Sequence, residues 1–173
     1  RSKGLDMIAA NRVGDGLGFE SDENSLEVLW DGGTISLELT SKDKLARQLI
    51  DTGKAYYCFC TKERLVKLRG QGYDQHCLKL KPAEVKSLLA KPTSFVIRLK
   101  VPDQGITGWQ DLIQKKIEFK NELIDDQVLL KSDGYPTYHW ACVIDDHEME
   151  ISHVIRGADH VSNTPRQVML FEA

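Results

Sequence analysis

Cys58-x-Cys60 and, beyond a loop carrying Gly70 and Gly72, Tyr73-x-x-x-Cys77 bring three thiols into one short stretch. Three thiolates can close three corners of a tetrahedral zinc site. The fourth corner falls to a neighbour, His76 or the hydroxyl of Tyr73, and ligand statistics favour histidine. Zinc there would be structural, because a small loop module has little core of its own. Cys142 lies far from this group on a helical stretch and reads as a small core residue. Asp145-Asp146-His147 suggests acid–base or metal chemistry, but adjacent helical residues diverge by about 100°, so the three cannot face one ion. They read as a polar helix end. His139, His153 and His160 have no partner at a fixed spacing. Arg156 stands at the end of an apolar run before Gly157. That is where open α/β sheets bind ligands, and a guanidinium there is a bidentate clamp for a carboxylate or, as readily, a surface arginine.

Charge points to a polyanion. Residues 54–101 hold eleven Lys/Arg against Glu63, Asp74 and Glu84, a net +8, while the other twelve basic and 23 acidic residues leave −11. Such asymmetry suits a nucleic-acid-facing module on an acidic body, or a solvated lysine-rich helix face. The whole chain, 173 residues with 41% hydrophobic and 28% charged residues, is long enough for one domain with a sub-domain. No apolar run reaches the roughly 20 residues of a membrane span, and the first residues lack the apolar stretch of a signal peptide. Four cysteines are too few for a disulfide scaffold. That predicts a reducing, cytoplasmic compartment.

These groups need elements to position them. Gly14-Asp15-Gly16-Leu17-Gly18 lacks the spacing of a phosphate loop and reads as a surface turn. Ser25–Trp30 fits a helix turn or a strand before Asp31-Gly32-Gly33. Thr40 or Ser41 caps a helix with Leu45, Leu49 and Ile50 inside, and Gly53 ends it. Ala55–Cys60 reads as a strand. Thr61 opens a short helix, and Pro82 opens a third that Pro92 closes. Ser94–Val101 alternates Phe95, Ile97 and Leu99 against Val96, Arg98 and Lys100, as a half-buried strand does. Lys116–Asn121 alternates too. Gln127–Lys131 is an apolar strand closed by the Ser132–Pro136 turn, residues 138–149 a helix, Ile151–Arg156 a strand, and a last helix starts near Pro165. Strands alternating with helices give the α/β class.

Three runs carry a family resemblance. VLLKSDGYPTYHWACVIDDHEMEISHVIRGADHVSNTPRQVMLFEA (128–173), KAYYCFCTKERL (54–65) and SFVIRLKVP (94–102) are similar to bacterial-type glutamyl-tRNA synthetase, a class I aminoacyl-tRNA synthetase. The similarity reaches from about residue 45 to the end. It implies part of a Rossmann-like catalytic domain with an inserted zinc-bearing, acceptor-stem-binding sub-domain. Residues 1–53 lead in, 54–126 form the insertion and 127–173 the second half of the core.

The resemblance implies zinc on Cys58, Cys60, Tyr73 and Cys77, preferring tyrosine to His76. It implies tRNA contacts from Lys62, Arg64, Lys67 and Arg69, a glutamate pocket with Tyr138 and Arg156, and Asp159 and His160 near the adenylate. ATP with Mg2+, glutamate and the acceptor stem of tRNA(Glu) are the implied substrates and partners, with no membrane. The chain departs from the family at Cys142, where the pocket has asparagine, at Glu150, where glycine is usual, and at Ala158, where glutamate is common. Neither an HIGH-type nor a lysine-rich KMSKS-type signature occurs in the 173 residues, so no catalytic residue is assigned. The implied activity is ATP-dependent attachment of glutamate to tRNA. The other readings are a non-catalytic tRNA-binding piece or paralogue, and an enzyme glutamylating queuosine in a tRNA anticodon. The LKSDGYPTYH run favours the full synthetase.

Overall fold

The computed structural model describes residues 7–11, 25–30, 33–38, 42–70 and 72–173. The Gly14–Gly18 turn, residues 31 and 32, and the Thr40/Ser41 cap lie outside the described residues. Residues 1–45 and 46–173 form two compact units. In the first, β1 (Met7–Asn11), β2 (Ser25–Trp30) and β3 (Gly33–Glu38) make an antiparallel sheet in that order. The run left open between helix and strand is thus a strand, with Trp30 opposite Gly33.

Helix ends follow local chemistry. α1 (Lys42–Asp51) closes with Gly53 at φ 73°: Gly53 N–H donates to Ile50 O at 3.0 Å and Lys54 N–H to Leu49 O at 2.8 Å. These two bonds are the Schellman pattern, which needs a left-handed residue at that position. β4 (Ala55–Cys58) follows, and Thr61 caps α2 (Lys62–Lys67) by accepting from Arg64 N–H at 3.3 Å. α3 (Pro82–Leu89) starts on its proline, and the Glu84 carboxylate reaches back to Lys81 N–H at 2.8 Å.

β5 (Val96–Leu99) pairs antiparallel with β4. β6 (Ile106–Asp111) and β7 (Lys115–Lys120) form a hairpin, and β8 (Val128–Leu130) pairs antiparallel with β5 to complete a β4-β5-β8 sheet. All strand pairings among the described residues are antiparallel. Ile97, Leu99, Leu129 and Leu130 fill the sheet's core at 3% exposure or less. Each such side chain contributes about 1.5–3 kcal/mol on burial. The central strand β5 is covered on both faces: Arg98, the expected outward residue, is only 9% exposed.

The turn after β8 sets the start of the next helix. Thr137 N–H donates to Leu129 O at 2.8 Å and its hydroxyl to Val128 O at 2.7 Å. α4 (Tyr138–Glu148) therefore leaves the sheet edge at Tyr138, burying Trp140, Val143 and Ile144. α5 (Thr164–Phe171) packs against α4 and β6, and its Pro165, Gln167 and Leu170 are buried.

The predicted strand Ile151–Arg156 does not form. Residues 151–157 have no regular structure, and Val154 and Ile155 are 53% and 98% exposed. Apolar alternation makes a strand only when a neighbour supplies the ladder hydrogen bonds, and this segment pairs with none of the described residues. It leaves α4 through a second Schellman pattern, with Glu150 N–H bonded to His147 O and Ile151 N–H to Asp146 O, and this time the left-handed residue is Glu150 at φ 53°. A β-carbon in that conformation costs about 1–2 kcal/mol, part of it returned to glycine as chain entropy. Glu150→Gly is therefore expected to stabilise the protein by about 0.5–1 kcal/mol, read as a higher urea midpoint. A lower midpoint would show that Glu150 makes a compensating interaction.

Candidate functional site

The strand β4 ends at Cys58, and the chain bends there before the Thr61 cap, which brings Cys60 back beside it. The loop after α2 turns at Gly70 and Gly72, both at positive φ, and delivers Tyr73 and Cys77 to the same place. The sulfurs of Cys58, Cys60 and Cys77 all lie within 4.8 Å of one another. Cys60 and Cys77 are 3.6 Å apart, and the Tyr73 hydroxyl oxygen stands 3.3 Å from Cys58 Sγ and 3.4 Å from Cys60 Sγ. Around a tetrahedral ion with bonds of about 2.3 Å to sulfur and about 2.0 Å to oxygen, the edges would measure about 3.8 and 3.5 Å. The donor set fits. His76 lies outside it: the residue is exposed, and its backbone N–H bonds the Asp74 carboxylate at 3.3 Å. The geometry therefore favours tyrosine over the histidine that ligand statistics preferred.

The cluster is electrostatically uneven. The Cys58 thiol is pulled down to about 4, chiefly by its hydrogen bond with Cys77 and despite burial, with Tyr73, the Cys60 backbone N–H and Arg98 assisting. The same contact with Cys58 pushes Cys77 up, and burial pushes Tyr73 up. Below it lies a buried polar hub. Asp126 is 2% exposed; it accepts from Tyr56 hydroxyl at 2.6 Å and Val101 N–H at 3.0 Å. Burial raises its carboxyl above the usual range even so. Arg98 Nη1 donates to the Asp126 main-chain oxygen at 2.7 Å, and its guanidinium covers the Tyr73 ring at 4.1 Å. The neighbouring Asp125 accepts from Tyr73 N–H at 3.0 Å.

The second grouping is one face of α4. Tyr138 opens the helix at 72% exposure, and Cys142 lies one turn on, half-buried. A side-chain hydrogen bond links them, raising Tyr138 and partly offsetting the rise that burial imposes on Cys142. Arg156 donates to the Thr164 hydroxyl at 3.0 Å, at the start of α5. Its charge lowers the values of Tyr138 and Cys142, and of Asp146, which burial and Asp145 raise. Burial first, then Arg166 and Arg156, lower His139. So the structure brings Arg156 into the field of Tyr138 and Cys142, although from a loop and not from a strand end. Asp159 and His160 are exposed and face each other at 3.5 Å. Asp145, Asp146 and His147 do not converge on one point among the described metal-binding groups.

The four basic residues of the α2 region divide. Lys62, Lys67 and Arg69 are exposed. Arg64 is paired with Asp74 and hydrogen-bonded toward Cys60, so it braces the thiol loop.

Comparison with known proteins identifies the family. Residues 24–173 match the family model described as tRNA synthetases class I (E and Q), catalytic domain. The chain belongs to that family. Glutamate–tRNA ligase of Gloeobacter violaceus is 43% identical over 96% of this chain, which spans 33% of that relative. Glutamate–tRNA ligase 1 of Caldanaerobacter subterraneus is 43% identical over 86% of the chain, and the Clostridioides difficile ligase 47% over 73%. A crystal structure of a glutamate tRNA ligase from Elizabethkingia meningosepticum in complex with its amino acid superposes with a TM-score of 0.70 at 37% identity, covering 76% of this chain and 29% of that one. The chain thus spans about a third of the length of the curated relatives it matches. The similarity begins earlier than residue 45, since the family model starts at residue 24 and β2 and β3 fall within it. Among the described residues no helix is long and apolar enough to cross a membrane.

Sequence reasoning missed Arg98, Asp125 and Asp126. Arg98 was one charge among eleven in a basic segment, and only the approach of the 125–126 segment reveals why it is buried.

Proposed function

We propose that the chain is the part of a glutamate–tRNA ligase that recognises glutamate and the acceptor stem of tRNA(Glu). The observation that carries this reading is the 43% identity to a glutamate–tRNA ligase across 96% of the chain. In the reaction, a carboxylate oxygen of glutamate attacks the α-phosphorus of Mg2+-bound ATP, and pyrophosphate leaves with the electron pair of the broken P–O bond. The terminal ribose hydroxyl of tRNA then attacks the acyl carbon of glutamyl-adenylate, and AMP leaves. Such chemistry is accelerated mainly by positioning and by stabilising developing charge.

The residues of this chain supply the substrate side. Arg156, steadied by Thr164, clamps a glutamate carboxylate. Tyr138 lines the pocket, and Cys142 presents a thiol where the family has an amide, a weaker donor to the substrate. Asp159 and His160 border the adenylate. Residues 54–126 form the acceptor-stem insertion and 127–173 the second half of a Rossmann-like core, after a lead-in of residues 1–53. Zinc held by Cys58, Cys60, Tyr73 and Cys77 cross-links the loop that follows α2 to the end of β4. Lys62, Lys67 and Arg69 neutralise phosphates. As a translation enzyme it would act in the cytoplasm.

Three measurements test these assignments. Zinc should accompany the purified chain at about one equivalent, measured by atomic emission. Cys77→Ser should release it and His76→Ala should not; a folded wild-type chain free of metal would remove the site. Glutamate should raise the thermal midpoint of the chain, because a ligand that binds only the folded state stabilises it. Arg156→Ala should abolish that rise, and an undiminished rise places the substrate elsewhere. Binding to tRNA should weaken steeply with salt, and replacing Lys62, Lys67 and Arg69 with alanine should flatten the slope of log K against log salt by up to about 0.9 for each phosphate no longer neutralised. A slope unchanged by the triple substitution assigns tRNA binding to another surface.

A further inference from the structure

Arg98 occupies a costly position. It is 9% exposed, its Nη1 is bonded to Asp126 O, and its Nε has no hydrogen-bond partner. A buried N–H left unpaired is destabilising, although the same side chain bonds Asp126 O and reaches the Cys58 thiol. It also covers a ring. The guanidinium carbon lies 4.1 Å from the centre of Tyr73, in the face-on arrangement that attracts a cation to an aromatic. The other end of that ring, the hydroxyl oxygen, is the group 3.3 and 3.4 Å from Cys58 and Cys60.

Tyr73 needs such support. It follows Gly70 and Gly72, both at positive φ, in a stretch without regular structure. A side chain on such a stretch loses rotamer freedom when a metal fixes it. Its backbone N–H is bonded to Asp125, and its hydroxyl accepts from Cys77 N–H at 3.3 Å. Arg98, by contrast, stands on the central strand of the β4-β5-β8 sheet and is tied to the main chain beside β8.

We infer that Arg98 is a positioning residue for the metal site, acting through the ring of Tyr73 to hold the tyrosine oxygen as the fourth ligand beside the three thiols. The inference rests on the zinc reading of that cluster. Groups that orient metal ligands typically change affinity by about 10–100-fold when removed. Arg98→Met keeps the length of the stem and removes the cation.

The test uses the zinc-loaded chain with a chromogenic chelator in excess, and follows the rate of metal transfer. Wild type is measured first, and a wild-type chain that takes up no zinc sinks the zinc reading itself. With zinc bound, Arg98→Met and Tyr73→Phe each release it at least about tenfold faster than wild type. The double variant releases it no faster than Tyr73→Phe alone, because both changes remove the same ligand. Wild-type release from Arg98→Met overturns the inference. So does a double variant that multiplies the two single effects, since Arg98 then acts independently of Tyr73. Cobalt substitution reads the ligand directly: the Arg98→Met spectrum matches that of Tyr73→Phe, and a wild-type spectrum overturns the inference. Arg98→Lys, which keeps a cation, carries the test if the methionine variant does not fold. It retains the wild-type cobalt spectrum, and loss of the tyrosine ligand in it counts against Arg98 acting as a cation on the ring.

Discussion

Asp126 is 2% exposed and Arg98, which donates to its main-chain oxygen, 9%. Taking either charge out of water costs several kcal/mol unless partners replace the lost hydration. The structure supplies them from separate parts of the chain: Tyr56 from β4, Val101 from just beyond β5, Gln75 from the thiol loop. Each of these bonds is worth little alone, but leaving one buried partner unmade costs about 1–3 kcal/mol. The thiol loop is therefore held to one position over the sheet. Tyr73, Asp125 and Arg98 then follow as consequences, and the sulfur cluster sits on a base that the sheet defines.

The same constraint sorts the basic segment. Eleven Lys/Arg between residues 54 and 101 look alike as a count. In the fold, Arg98 is buried beneath Tyr73 and Arg64 is drawn to Asp74 and Cys60, so two of the strongest phosphate-binding side chains serve the loop. Planar guanidinium groups suit that work, since they stack on rings and fork onto oxygen acceptors where an ammonium cannot. Lys62, Lys67, Arg69 and the other exposed lysines remain in solvent, available for the proposed contacts with a polyanion.

What could be read from the sequence was local. Thr61, Pro82 and Gly53 bracket helices through interactions a few residues away, and each appears where its chemistry requires. The C-x-C…Y-x-x-x-C spacing could single out the three thiols for the same reason, and the fold places Tyr73, not His76, beside them. Glu150 was visible as a residue standing in a glycine position, and the backbone shows why glycine is suited there. The failures were relational. Ile151–Arg156 has a strand's pattern and no strand beside it among the described residues. β6 escaped notice because its buried Thr107 is polar, and only the Asn121 side chain across the hairpin, 2.7 Å away, explains the burial. Arg98 likewise looks outward until Asp126 closes over it.

The α4 face follows a different logic from the thiol cluster. Arg156 stands on an irregular segment, and its bond to Thr164 at the head of α5 helps to orient it. A guanidinium has five N–H donors in a fixed plane, and one side-chain bond orients that plane without consuming it. The half-buried Asp146 competes for the same charge: burial and Asp145 push its carboxyl up while Arg156 pulls it down. In the proposed pocket, a substrate carboxylate entering beside Tyr138 would displace that weaker, through-space partner and gain a direct one. On the proposed reading, the exposed Tyr138 and Arg156 form a face that a substrate carboxylate would complete, whereas the thiol cluster lies beside the buried Arg98–Asp126 hub.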